Sequence, residues 1–340
     1  MERGEQIGLS GAAPRLAVVA DDLTGALDAA APFADRGLRV RVATSSAALP
    51  TALRDAEVVA VSSRSREIAP EAARAAVAAI LEMLPRGVPV FKKVDSRLKG
   101  NVAAELAAFA DDPVLAVPAL PEFGRVVRDG AVCGFGVAEP IPVAPLLGRP
   151  ARVPDVATAE EMAIAVAGAA GALIVGARGA ALAVADRMAS GRARLPPLGL
   201  PMVIAVGSTD PITLAQVADL RSLPGLRVVE APDGRAAPQP APGVTLLQAV
   251  PGAGASGRTV ATAMGQAVAA AARGAASLVL TGGATAEAVL DALDLPVLEL
   301  HGDIVPGLPL SSGGGWRIVT KSGGFGAAGV LLMLAQGTEG

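Results

Sequence analysis

Two adjacent carboxylates, Asp21 and Asp22, stand directly after an apolar run and directly before a helical pattern, in VVADDLTGALDAA (18–30). A strand-to-helix loop ordinarily uses one Asp or Ser as an N-cap, whose side-chain oxygen accepts the free amides of the first turn. The second acid exceeds what capping needs, so the pair is a candidate for accepting a proton or holding a hydroxyl. A second polar group, FKKVDSRLKGN (91–101), crowds Lys92, Lys93, Asp95, Ser96, Arg97, Lys99 and Asn101 into one connection after a short strand. Cations there can neutralise a carboxylate or phosphate while Asp and Asn hold hydroxyls, as a crevice for a charged, hydroxylated ligand requires. In VSSRSRE (61–67), Arg64 follows another strand end and is a candidate bidentate clamp for a carboxylate. PALPEFGRVVRDG (118–130) offers Arg125 as a further cation for the same crevice.

The second half carries a different chemistry. VIAVGSTDPIT (203–213), LVLTGGATAEAVL (279–290) and VTKSGGFGAAGVLL (319–332) each join a strand to a helix through a glycine- or serine-bearing turn. Such turns aim backbone N–H groups and a helix N-terminus at an anion, and glycine lets a phosphate approach closely. Three of them, with hydroxyls at Ser208, Thr285 and Ser322, predict a polyphosphate site, and the absence of G-x-x-x-x-G-K-[ST] separates it from a Walker P-loop. PGAGASG (251–257) matches G-x-G-x-x-G, but the next strand ends in LVLTGG without the acid that a dinucleotide ribose needs; it reads as a flexible loop. His301 and Cys133, the only residues of their types, read as structural.

These residues need a scaffold that delivers strand ends. Apolar runs recur at Leu16–Ala20, Val40–Ala43, Val58–Ser62, Val88–Lys92, Val114–Val117, Ala172–Val175, Met202–Val206, Val244–Ala249, Leu278–Thr281 and Ile318–Lys321, with Ala-rich helical stretches between many of them. The alternation predicts an α/β fold of two domains, each with a mostly parallel sheet flanked by helices, and an active site in the interdomain cleft. The proline-rich ARLPPLGLP (193–201) places the boundary, giving a first domain over 14–196 and a second over 197–337.

With 52% hydrophobic residues but only 2% aromatic, the cores must be filled by small and branched aliphatic side chains, which suits helices on a parallel sheet. A net charge of −3 without a basic patch argues against nucleic-acid and membrane-surface partners. One Cys and one His build neither a disulfide nor a usual metal cluster. The charged start MERGEQIGLSGAAPR lacks an apolar signal core, and the longest apolar run, 162–177, is too short to span a bilayer; the expectation is a cytoplasmic protein.

Taken in order, ADDLTGALDAA, the arginine after SSR, KKVDSRLKGN, PALPEFGR, VGSTDPIT, TGGATAEAV, and PGLPL followed by KSGGFG resemble the four-carbon acid sugar kinases. The resemblance runs from about residue 16 to 332. It implies a sugar-acid-binding N-terminal domain, a nucleotide-binding C-terminal domain, and phosphorylation of threonate, erythronate or 3-oxo-tetronates at the terminal hydroxyl with ATP and Mg²⁺. It implies substrate contacts from Asp21, Asp22, Arg64, Lys93, Val94, Asp95 and Ser96, to which the reading of the residues adds Arg125; Asp22 and Lys93 are the expected catalytic residues. Nucleotide contacts are implied for Ser208, Gly282, Gly283, Ala284, Thr285, Gly323, Gly324 and Gly326; no protein metal ligand is implied. Arg97 and Lys99 stand where the family usually has Thr and Arg. Partners are the sugar acid and ATP, with room for a homodimer. The alternatives are a non-catalytic sensor descended from such a kinase and an NAD(P)-dependent dehydrogenase resting on Gly252, Gly254 and Gly257.

Overall fold

The computed structural model describes residues 13–337; residues 1–12, which hold most of the charged amino-terminal stretch, lie outside the described residues. The first half contributes strands β1 (Leu16–Ala20), β2 (Val40–Ala43), β3 (Val58–Ser62), β4 (Val90–Lys93), β5 (Val114–Val117), β6 (Arg125–Arg128), β7 (Ala131–Gly134), β8 (Ile141–Pro142) and β9 (Leu173–Gly176). The second contributes β10 (Met202–Val206), β11 (Arg227–Pro232), β12 (Val244–Val250), β13 (Ser277–Thr281), β14 (Val297–Asp303), β15 (Pro309–Gly313) and β16 (Trp316–Lys321). The helices are α1 (Leu23–Asp35), α2 (Leu49–Ala52), α3 (Pro70–Met83), α4 (Val102–Leu106), α5 (Ala159–Ala167), α6 (Arg178–Met188), α7 (Pro211–Leu220), α8 (Gly257–Ala271), α9 (Gly283–Ala292) and α10 (Val330–Gln336).

Both halves carry a mostly parallel sheet, as the alternation of apolar runs and helices predicts. The two sheets join edge to edge into one of 13 strands, ordered β11-β12-β10-β13-β16-β15-β14-β2-β3-β1-β4-β9-β5, through an antiparallel β14–β2 pair. A separate three-stranded sheet, β6-β7-β8, holds the stretch around Arg125. In the first half the chain moves from β1 outward to β2 and β3 and then crosses to β4 on the other side of β1, so the order reverses between β1 and β4. In the second half it reverses between β10 and β13. Neighbouring connections leave in opposite directions at such points, opening a crevice at the carboxyl ends of the strands. Asp21 and Lys93 end one crevice, and Gly207 and Gly282 the other.

Helix α1 lies at the junction. It is buried from Leu23 to Ala34 apart from Asp28, which fits a helix enclosed by protein. It packs on β3 and α6 of the first half and on β14 of the second. Pro32 inside it lacks an N–H and leaves the Asp28 carbonyl without its helical partner. The Arg178 guanidinium donates to that carbonyl at 3.0 Å and also pairs with Glu122 at 2.9 Å and Asp303 at 2.6 Å. One continuous apolar core runs from β1 and α1 into β13, α8 and β16, so the halves share their interior.

Candidate functional site

The acid pair sits where β1 meets α1. Asp22 is the N-cap: its Oδ1 accepts the Gly25 amide at 2.8 Å, and its Oδ2 accepts the Thr24 hydroxyl at 3.0 Å. Asp21 is buried. Arg66 grips both, donating to Asp21 from Nε and Nη2 at 2.7 Å each and to Asp22 Oδ2 from Nη1 at 2.6 Å. Burial alone would push both carboxyls up. At Asp21 the Arg66 bonds outweigh it and hold the group below the usual carboxylate range. At Asp22 burial prevails, with the neighbouring Asp21 charge adding to it and Arg66 opposing, so this carboxyl is raised. Two adjacent acids with unlike proton affinities are the arrangement in which one serves as counter-ion and the other moves a proton.

Lys93 leaves β4 beside them. Its Nζ donates to the Val94 carbonyl at 3.0 Å and lies 3.2 Å from where a side chain on Gly25 would begin, so Gly25 keeps that space open next to Asp22. Gly100, with φ of +93°, does the same for Asp21: a Cβ there would stand 3.1 Å from its Oδ2. Lys92 points the other way and forms a fully buried pair with Glu105 at 2.7 Å. Glu105 also takes the Ser65 hydroxyl, so this ion pair is satisfied on both sides and belongs to the scaffold.

Farther along the connection Val94 is buried, Asp95 accepts the Arg97 amide at 2.8 Å, and Ser96 accepts Arg125 Nη1 at 2.6 Å. Arg125, also buried, makes its other described bond to the Phe135 carbonyl at 2.9 Å. Burial and then the nearby Arg97 lower its proton affinity. Among the described residues it has no carboxylate partner, so a ligand carboxylate would complete it.

The three turns of the second half converge. A side chain on Gly207 would collide with Thr285, one on Gly323 with Ser208, and one on Gly282, with φ of +98°, would approach the Ser208 amide at 3.5 Å. A side chain on Gly324 would begin 3.4 Å from Asp210 Oδ2, and one on Gly326 would begin 3.0 Å from Val330 Cγ1 and 3.2 Å from Gln216 Nε2. Helix α9 starts at Gly283 with Gly282 at its cap and no side-chain cap bond; Ala284 is exposed in its first turn. Its first amides are therefore directed at whatever occupies the turn. Lys321 closes the floor, its Nζ donating to Thr213 Oγ1 at 3.0 Å and to the carbonyls of Ser322 and Gly323 at 3.0 and 3.2 Å. Burial brings its ammonium down to about 8, opposed by Asp210.

The acid pair and the glycine turns meet. A Cβ on Gly283 would lie 3.3 Å from Thr24 Oγ1 and 3.7 Å from Asp22 Oδ2. Arg64 stands apart: its guanidinium is held by Asp291 of α9 at 2.8 and 2.7 Å, and by the Thr44 carbonyl at 3.0 Å. Arg66, two residues on, is the guanidinium that faces the acids. Both follow the same strand in SRSR, and residue type alone does not choose between them. Lys321 and Glu287, whose Oε1 accepts the Leu23 amide at 3.1 Å, are not singled out from the sequence; a lysine beside a glycine turn is the available sign for the first, and none marks the second. The G-x-G turn at 252–254 lies in a loop in which Asp233 accepts the amides of Ala253 at 2.6 Å and Ala255 at 3.3 Å. An internal carboxylate thus sits where a dinucleotide phosphate would have to bind, against the dehydrogenase alternative. His301 bonds Ser312 across β14 and β15 at 2.8 Å, and Cys133 lies in β7.

A family model described as a sugar-binding N-terminal domain matches residues 16–165, and one described as a nucleotide-binding C-terminal domain matches residues 234–331. The chain is 32% identical to the D-threonate kinase of Bordetella bronchiseptica, over 95% of this chain and 97% of that protein. It is 30% identical to the D-threonate kinase of Cupriavidus necator, over 92% and 95%, and 30% identical to the 3-oxo-tetronate kinase of Methylobacterium radiotolerans, over 92% and 96%. A solved structure described as a putative tRNA synthase from Salmonella typhimurium LT2 shares the fold, with a TM-score of 0.78 at 19% identity over 94% of this chain and 98% of that one. The chain belongs to the four-carbon acid sugar kinase family and is a sugar-acid phosphotransferase.

Proposed function

We propose that the chain transfers the γ-phosphoryl group of ATP to the terminal hydroxyl of a four-carbon-type sugar acid, such as threonate, erythronate or a 3-oxo-tetronate. The observation that carries this reading is the approach of Asp22 Oδ2 to the Gly282–Gly283 turn, which puts a proton acceptor against a phosphate cradle. Phosphoryl transfer needs positioning and charge neutralisation and little covalent help from the protein. Asp22 accepts the proton of the attacking hydroxyl, while Arg66, held by Asp21, keeps the carboxylate oriented. Lys93 supplies positive charge beside it. Arg125, with Ser96, takes the substrate carboxylate, and Val94 and Asp95 shape the wall between. Arg64, assigned to the substrate from its sequence, is engaged by Asp291 instead, and we give it the role argued below.

The amides of Gly282, Gly283, Ala284 and Thr285, the Ser208 hydroxyl and the turn Gly323, Gly324 and Gly326 hold the phosphates. At Gly282, Gly283 and Gly324 no protein atom comes nearer than 3.3 Å to where a side chain would begin, which leaves backbone for an anion to approach, so the residues fit a nucleotide. Mg²⁺, when bound with the triphosphate, supplies further charge neutralisation. With this reading we keep the division of the chain at 196/197, and its apolar composition leaves room for a homodimer.

The test is ADP release with Mg-ATP across four-carbon and branched sugar acids and their 3-oxo forms, with Asp22→Ala as control. Substrate-dependent release that Asp22→Ala abolishes, while calorimetry shows nucleotide still bound, is the expected result. Near-normal turnover in that variant overturns the role of Asp22. Binding of acid and nucleotide without release would identify a sensor in place of an enzyme.

A further inference from the structure

Helix α9 presents three residues at a spacing of four toward the first half: Gly283, Glu287 and Asp291. At 3.6 residues per turn, positions i, i+4 and i+8 form one nearly straight ridge. Each of the three has a partner on the opposing half. Gly283 lies against Thr24 and Asp22. Glu287 Oε1 accepts the Leu23 amide at 3.1 Å, which is the first residue of α1. Asp291 receives Arg64 bidentately, and Arg64 in turn is fixed by the Thr44 carbonyl. Thr44 is itself tied to the second half, its amide and hydroxyl both donating to the Pro296 carbonyl at 2.9 and 3.2 Å. Arg64 has a φ of +51°, a left-handed backbone that a long side chain rarely takes and that persists only where surroundings impose it.

We infer that this ridge sets the register between the two halves, with Glu287, Asp291 and Arg64 as positioning residues that fix how far the phosphate cradle stands from Asp22. The helix that carries the ridge also begins the cradle, so a slide of α9 along α1 moves the phosphate site relative to the proton acceptor by the same amount. The inference rests on the kinase reading for its consequence and on the geometry alone for the register. The Arg64–Asp291 pair is half exposed, and exposed pairs contribute little to stability. Its loss therefore separates position from folding. A displacement of about 1 Å in a group-transfer site can cost on the order of 100-fold in rate.

The test uses the full chain. Arg64→Ala and Asp291→Asn should lower kcat about 10- to 100-fold, with nucleotide and sugar-acid affinities within about twofold and the melting temperature nearly unchanged. Glu287→Ala should act in the same way, while Glu287→Gln, which keeps the acceptor for the Leu23 amide, should restore most of the rate. Spin labels placed on α3 and α8, read by pulsed dipolar spectroscopy, report the distance between the halves without any turnover. A broadened or shifted distance in Arg64→Ala and Asp291→Asn, restored by the exchange Arg64→Asp with Asp291→Arg, supports the inference. An unchanged distance in the single variants overturns it, whatever their rates. Should the wild-type chain phosphorylate no acid, the kinase reading fails and the distance measurement still decides this one.

Discussion

The chemistry of the site comes down to one guanidinium shared by two carboxylates. Arg66 keeps Asp21 ionised and moderates the burial that raises Asp22, so the pH at which Asp22 loses its proton depends on it. With Asp22 as the proton acceptor proposed above, activity requires it ionised, so kcat/KM should fall on the acid side with a midpoint above the usual carboxylate value. Replacing Arg66 by Ala removes the charge that favours both ionised forms, and the acid limb should move to still higher pH; a limb that stays in place would count against Asp22 as the base. The same variant should destabilise the fold by about 2–3 kcal/mol, less than the 3–5 kcal/mol typical of breaking a fully buried pair, because Arg66 is a quarter exposed. Lys321 gives a second test at this scale. Its ammonium titrates near 8, and only the charged form attracts phosphate. Nucleotide affinity should weaken as pH rises through about 8, with a proton taken up on binding there, visible as a dependence of the calorimetric heat on the buffer. Lys321→Met should abolish that uptake.

Among the elements, α1 and β14 carry the burden of the junction. Asp303, at the end of β14, has a buried side chain, and that burial pushes its carboxyl up to about 7, with Arg178 opposing and Asp28 and Asp35 of α1 adding to the effect. Its amide is held by Asp35 Oδ1 at 2.8 Å. In the unfolded chain the group returns to the ordinary value of 3.8, so between about 4 and 7 the folded state binds the extra proton. Its contribution is therefore present below about pH 4 and is lost as pH rises toward 7. Asp303→Asn, which cannot ionise, should flatten the fall of melting temperature between about pH 4 and 7; curves that stay parallel for variant and wild type would reject this account. The short antiparallel elements show why sequence patterns undershoot here. Strands β14 and β15 have mixed burial, and β11 is a half-exposed edge, so neither displays the continuous apolar run by which the buried parallel strands were read. The hairpin β6–β7 is absent from the apolar runs read as strands, although it is what brings Arg125 to Ser96.

For the molecule as a whole, the joined sheet and the shared core predict that the halves unfold together. The β14–β2 pair alone is a modest link, but α1 is buried against both halves and the core passes through the junction without a break. Calorimetry should show one transition whose van't Hoff and calorimetric enthalpies agree. Two separated transitions would mean that the 193–201 stretch divides independent folding units. Among the described residues no helix is long and apolar enough to cross a membrane.

The sequence by itself determined the parallel strands, the helices between them and the chemical character of each strand end. Burial on both faces demands continuous apolar runs, glycine at the turns leaves backbone exposed to an anion, and acid or lysine after a strand has nowhere to point but the crevice. It also determined the grouping of Asp21, Asp22 and Lys93 and that of the three glycine turns. Only the tertiary structure decided between Arg64 and Arg66, removed Lys92 to the core with Glu105, filled the G-x-G turn with Asp233, and brought Glu287 and Asp291 to the junction. Each of those outcomes depends on a partner more than 12 positions away in the chain, and a residue's type states which charges it can meet but not which one the fold will place within 3 Å.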